Sequence, residues 1–91
     1  MEIDAIRSDI DKINDEILDA LIKRLELSKD VAEYKIKQNI PVYNKEREEE
    51  ILRRIGNKAG AKAEYIIPVF EAILDTSKKL QEDIITGKEG K

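Results

Sequence analysis

Arg24 and Lys35 stand eleven positions apart in the stretch LIKRLELSKDVAEYKIK (21–37), on a stripe where apolar residues otherwise recur at helical spacing. At about 100° per residue, eleven steps return to within roughly 20° of the starting direction, with the two cations about 16 Å apart along the axis. Ser28 and Val31 lie between them on that face. Two long cationic side chains so placed can lean inward and bracket a small anion. Glu48 similarly interrupts the face carrying Ile51, Leu52 and Ile55, and Ser77 and Gln81 fall in line with Ile66, Phe70, Ile73 and Ile84. Burying such groups without partners costs on the order of 1–3 kcal/mol each. A ligand that supplies the partners removes the conflict, and so does a polar interface.

Each residue alone has a plainer reading. Arg24 and Lys35 can lay their stems on the seam and keep their heads in water. Glu48 can pair with a neighbouring cation, Ser77 alone says little, and Gln81 lies near a helix end. Arg7 adds a geometric constraint: it precedes Arg24 by seventeen residues, roughly 25 Å along one helix and about 100° off its direction. It cannot reach the same small ligand within its own chain. In an antiparallel pair of such helices it reaches the partner's site instead.

The elements that must position these residues are helices. Apolar positions Ile3, Ile6, Ile10, Ile13, Ile17, Leu21, Leu25 and Val31 predict one helix over 3–38, with Pro41 helping to end it. Asn44 is a good N-cap for a second helix over 45–58, and a third runs over 63–85 with Pro68 near its start. TGKEGK (86–91) reads as a frayed tail. The expectation is one all-α domain over 1–91 with one long, one short and one medium helix. The first helix, roughly 54 Å long, is too long to be covered by the remaining chain, since a compact chain of 91 residues has a radius of gyration of about 12 Å. Its apolar stripe therefore calls for a partner, most simply a second copy.

Composition narrows the chemistry. The 91 residues contain no Cys and no His, and their charged and apolar fractions are both 41%. A thiol nucleophile, a Ser-His-Asp relay and a His- or Cys-ligated zinc centre are excluded. The net charge of −3, with cations interspersed among acids, argues against a nucleic-acid partner. No apolar run approaches the roughly 20 residues of a membrane span, and MEIDAIRSDI is unlike a signal peptide. The expected location is the cytoplasm.

Five pieces in order carry a family resemblance: IR-x-x-ID-x-I from Ile6, KR-x-EL from Lys23, Lys35, PV-x-x-x-x-RE from Pro41, and S-x-x-x-Q from Ser77. Together they resemble the all-helical class of chorismate mutases over about residues 3–85. The resemblance implies a monofunctional, intertwined homodimer whose three helices per chain form two active sites, working on the chorismate dianion without cofactor or metal. It implies that Arg24 and Lys35 hold the substrate's carboxylates and that Lys35 and Gln81 donate to its ether oxygen. Arg7 is implied to come from the other chain. Glu48 then accepts from the ring hydroxyl, Ser77 lies near the ring carboxylate, and Arg47 is an adjacent site arginine. Asn44 departs from the family, whose better-known members carry Asp there; Asn keeps the size and capping ability and removes a charge.

The implied reaction, chorismate to prephenate in phenylalanine and tyrosine biosynthesis, is an intramolecular [3,3] rearrangement that needs no proton transfer. A chain without His or Cys is not handicapped for it. Two rival readings share the fold: an isochorismate-pyruvate lyase using much the same cations, and a non-catalytic helical dimer serving as a module for a partner enzyme.

Overall fold

Helix α1 (Ile3–Gln38) runs unbroken for 36 residues, since neither Gly nor Pro occurs before Pro41. In the computed structural model, which describes residues 2–87, it is followed by α2 (Lys45–Ala59), a single 3-10 turn at Gly60–Lys62, and α3 (Ala63–Ile85).

α1 stops two residues before the residue that precedes Pro41, at a closure made by Asn39. Asn39 takes the left-handed conformation at φ 54°, ψ 46°, with its N–H on the Ile36 carbonyl, and the Ile40 N–H returns to the Lys35 carbonyl at 2.9 Å. This is a Schellman closure, with Asn where Gly is commonest. It turns the chain back immediately after Lys35, and Pro41 holds the following segment extended. Asn tolerates this conformation better than other side chains. Asn39→Val should therefore destabilise the protein by about 1 kcal/mol, and Asn39→Gly should not; urea unfolding of the two variants checks this.

Asn44 caps α2, its side-chain oxygen accepting from the Arg47 N–H at 3.0 Å. Gly60 ends the helix at φ 59°, ψ −124°, a backbone geometry essentially reserved for glycine. Pro68 sits inside α3; it removes the donor that the Glu64 carbonyl would otherwise receive, at an exposed position where solvent can substitute. At the far end, the Thr86 N–H bonds the Glu82 carbonyl at 2.9 Å and the Gly87 N–H bonds that of Ile84 at 3.1 Å. The start of the expected tail is thus tied to α3; residues 88–91 lie outside the described residues.

Helix α3 is the one on which both others pack, and the backbones of α1 and α2 do not approach each other. Within the protomer, α1 engages α3 through a face made by Leu21, Arg24, Ser28, Ala32 and Lys35. That face is the C-terminal part of the stripe read from sequence, where Arg24, Ser28 and Lys35 take places otherwise apolar. Ala32, fully buried, lets the helices close there. The N-terminal part of the stripe is uncovered: residues 2–20 are all exposed, and Ile10, Ile13 and Ile17 each keep about half their surface in solvent. Among the described residues, the buried apolar side chains are Ala32 and Leu74 alone. The shape follows, with extents of 55 × 32 × 14 Å and a radius of gyration of 16.2 Å, against about 12 Å for a compact chain of this length.

Candidate active site

The three helices meet around a cleft of about 320 Å³. Helix α1 contributes Arg24, Ser28 and Lys35, the connecting loop contributes Val42 and Asn44, α2 contributes Arg47 and Glu48, and α3 contributes Ser77, Lys78 and Gln81; Leu27, Val31, Ile51 and Leu74 supply apolar wall. Seven of the eight residues singled out from sequence therefore line one cavity. The eighth, Arg7, does not: it is exposed in the N-terminal half of α1, 3.9 Å from Asp4.

Lys35 is held by the turn that ends its own helix. Its Nζ donates to the Val42 carbonyl at 2.7 Å, which leaves two further N–H donors on the ammonium. Two turns earlier on α1, Ser28 shares a buried hydrogen bond of 2.7 Å with Ser77 of α3. Gln81 Nε2 donates to Ser77 Oγ at 3.4 Å, while Gln81 Oε1 is buried without a partner. The two hydroxyls can run in either direction. If Ser77 donates to Ser28, it accepts from the Gln81 amide; if Ser28 donates to Ser77, the Ser77 proton is available to the Gln81 oxygen. Ser28 thus helps set which end of the Gln81 amide is left for the cleft. In sequence, Ser28 stands out only by lying between the two cations, and its place on the Arg24–Lys35 face is the signal for its role.

Two site side chains have partners within the chain. Arg47 pairs with Glu50 one turn along α2. Glu48 pairs with Lys78 of α3, Oε2 to Nζ at 3.1 Å. Lys78 also lies 3.4 Å from Asp75 and 4.9 Å from the centre of the Tyr43 ring. The hydrogen bond to Glu48 raises the Lys78 pKa above its ordinary value; desolvation opposes this, and the charges of Glu48 and Asp75 add to it. Lys78 is therefore a cation at any pH where the protein would work. The lining carries four cations (Arg24, Lys35, Arg47, Lys78) against one carboxylate, Glu48, inside a chain whose net charge is −3. Such a cleft attracts a small multiply charged anion.

The profile of the family described as chorismate mutase type II matches residues 6–82. The chain belongs to the type II chorismate mutase family. It is 32% identical over 89 residues to the chorismate mutase of Methanocaldococcus jannaschii, covering 94% of this chain and 90% of that one. It is 33% identical over 84 residues to the bifunctional chorismate mutase/prephenate dehydratase of Buchnera aphidicola subsp. Schizaphis graminum, covering 89% of this chain and 22% of that enzyme. The chain thus spans about a fifth of the length of that fused relative. Among solved structures, a conserved hypothetical protein from Pyrococcus furiosus superposes with a TM-score of 0.71 at 40% identity, covering 86% of this chain and 92% of that one. The all-helical architecture of three segments is that of the type II chorismate mutase family. No helix among the described residues is long and apolar enough to cross a membrane.

Proposed function

We infer that this chain is a chorismate mutase, rearranging chorismate to prephenate in the α1–α2–α3 cleft. The observation that carries the reading is the convergence of Arg24, Lys35 and Arg47 with the part-satisfied Gln81 amide on one cavity of a family member that contains no His or Cys. In the reaction an ether C–O bond breaks as a C–C bond forms, six electrons shifting round a ring of six atoms. No proton moves to or from the protein. The enzyme has two tasks: to hold a flexible dianion in its compact chair-like conformer, and to stabilise negative charge growing on the departing ether oxygen.

Arg24 and Arg47 suit the first task, because guanidinium groups grip carboxylates in a bidentate fork. Lys35 suits the second. It is anchored by the Val42 carbonyl and keeps donors free, so little reorganisation is needed when charge develops. A half-turn of the Gln81 amide would give its oxygen to Ser77 and turn its NH2 toward the position now unpartnered, providing a second donor. In this reading Glu48 accepts from the ring hydroxyl and Ser77 lies beside the ring carboxylate. Asn44 is engaged as the cap of α2, which Asp would do equally well, so the departure from the family at this position leaves the capping role intact.

The active species in this reading is a homodimer. The uncovered stripe of α1 pairs with its copy in the antiparallel sense, and Arg7 of each chain completes the other's site. The elongated protomer with its minimal core supports this, as does the distance of Arg7 from its own cleft. A monofunctional enzyme that works in the cytoplasm is part of the same proposal.

The test is loss of chorismate absorbance with purified protein, with prephenate identified by acid conversion to phenylpyruvate and isochorismate assayed in parallel. Prephenate from chorismate supports the reading. Pyruvate from isochorismate, with chorismate untouched, replaces it with the lyase; no turnover of either leaves a binding module.

A further inference from the structure

Glu48 poses an electrostatic problem that the proposed function sharpens. A carboxylate on the wall of a cleft built for a dianion repels its substrate. At about 6 Å and an effective dielectric near 20, that repulsion corresponds to on the order of a hundredfold in affinity per unit charge pair. The structure holds a counter-charge at that place. Lys78, from a different helix, reaches Glu48 with its Nζ 3.1 Å from Oε2 and 3.4 Å from Oε1, so both carboxylate oxygens face one ammonium. The two side chains are only 28% and 22% exposed, so solvent screens the pair less than it would on an open surface. Lys78 is itself fixed from two further directions, by the Asp75 carboxylate one turn back on α3 and by the Tyr43 ring. Its ammonium therefore has a defined position against the cleft wall.

We propose that Lys78 is a positioning residue of the site, fixing the Glu48 carboxylate as a hydroxyl acceptor and cancelling its charge against the incoming dianion. This rests on the chorismate reading and extends it to a residue that need not touch the reacting atoms. The ammonium also restricts the Glu48 rotamer, so that one lone-pair direction stays available to a ring hydroxyl. Without Lys78, Glu48 would be an uncompensated charge facing the substrate. With Glu48 absent as well, Lys78 would have nothing to hold or cancel. The two residues are thereby coupled, as two independent binding residues would not be.

The experiment is a double-mutant cycle on the full chain, measuring chorismate turnover by wild type, Lys78→Met, Glu48→Gln, the double variant and Lys78→Arg, each checked for native helicity and assembly. Expected in Lys78→Met is a KM raised at least about tenfold with a smaller change in kcat. Lys78→Arg should recover most of that loss. The double variant should have a KM close to that of Glu48→Gln alone, because neutral Gln needs no counter-charge. A purely structural Lys78 would not be rescued by removing the negative charge from its partner. Additive losses, or wild-type KM in Lys78→Met, overturn the proposal while leaving the mutase reading intact. An inactive wild-type protein removes both together.

Discussion

Lys35→Ala should lower kcat by at least 10²–10³-fold, the range seen when a single preorganised donor to a developing oxyanion is removed, and leave the protein folded. The asymmetry follows from where Lys35 sits. Its ammonium bonds the Val42 carbonyl, a contact near the protein surface whose loss water can compensate, so little stability depends on it. Its catalytic contribution has no such substitute. The charge that grows on the ether oxygen is absent from the ground state, so the interaction strengthens only as the reaction proceeds, and its loss falls on kcat. Steady-state kinetics with urea unfolding of the same variant test both halves. A Lys35→Ala protein with near wild-type kcat would mean that the charge is stabilised elsewhere.

The second large effect lies at the other end of α1. Ile13→Glu should abolish the dimer and, with it, most of the folded structure at micromolar concentrations. The protomer has little to fall back on: its buried apolar side chains among the described residues are Ala32 and Leu74. Each isoleucine buried in an interface contributes about 1.5–3 kcal/mol, and two-fold symmetry makes every substitution count twice. A carboxylate placed in that seam adds its desolvation cost. For the wild-type protein the same logic gives a Tm that rises with protein concentration, as expected when folding and association are inseparable. Sedimentation and circular dichroism across a concentration series test this. A helical, monomeric Ile13→Glu protein would show that the protomer is self-sufficient.

The helices and most of the site were legible in the sequence for reasons that differ. The helices were legible because apolar spacing and the absence of Gly and Pro are local signals, and the cap at Asn44 is decided within four residues. The cleft residues were legible because Arg24, Lys35, Glu48, Ser77 and Gln81 break an otherwise apolar pattern, and a break in pattern is also local. What periodicity could not show was which part of the α1 stripe meets α3. The C-terminal part, with Arg24, Ser28 and Lys35, is covered within the protomer, while the more hydrophobic N-terminal part of the same stripe stays open, a difference in position along the helix that periodicity does not report. Pairings between helices were equally hidden. Lys78 lies thirty residues from Glu48, and Ser28 lies forty-nine from Ser77, so no spacing rule within one helix connects them. The left-handed closure at Asn39 that ends α1 two residues before Pro41 is not legible, since Asn is only weakly diagnostic of that conformation from sequence.

The central claim, a chorismate site completed by Arg7 from a second chain, is tested most directly by mixing two inactive variants. Arg7→Ala and Lys35→Ala chains are each purified, allowed to exchange subunits, and assayed for prephenate, with exchange followed by mass spectrometry of the intact dimers. In a mixed dimer, one site has Lys35 from its own chain and Arg7 from the other, and the second site has lost both. Random exchange makes half the dimers mixed, so the mixture should regain about a quarter of wild-type activity, far above either parent alone. A mixture that exchanges fully and stays inactive, or an Arg7→Ala protein as active as wild type, would contradict the shared site.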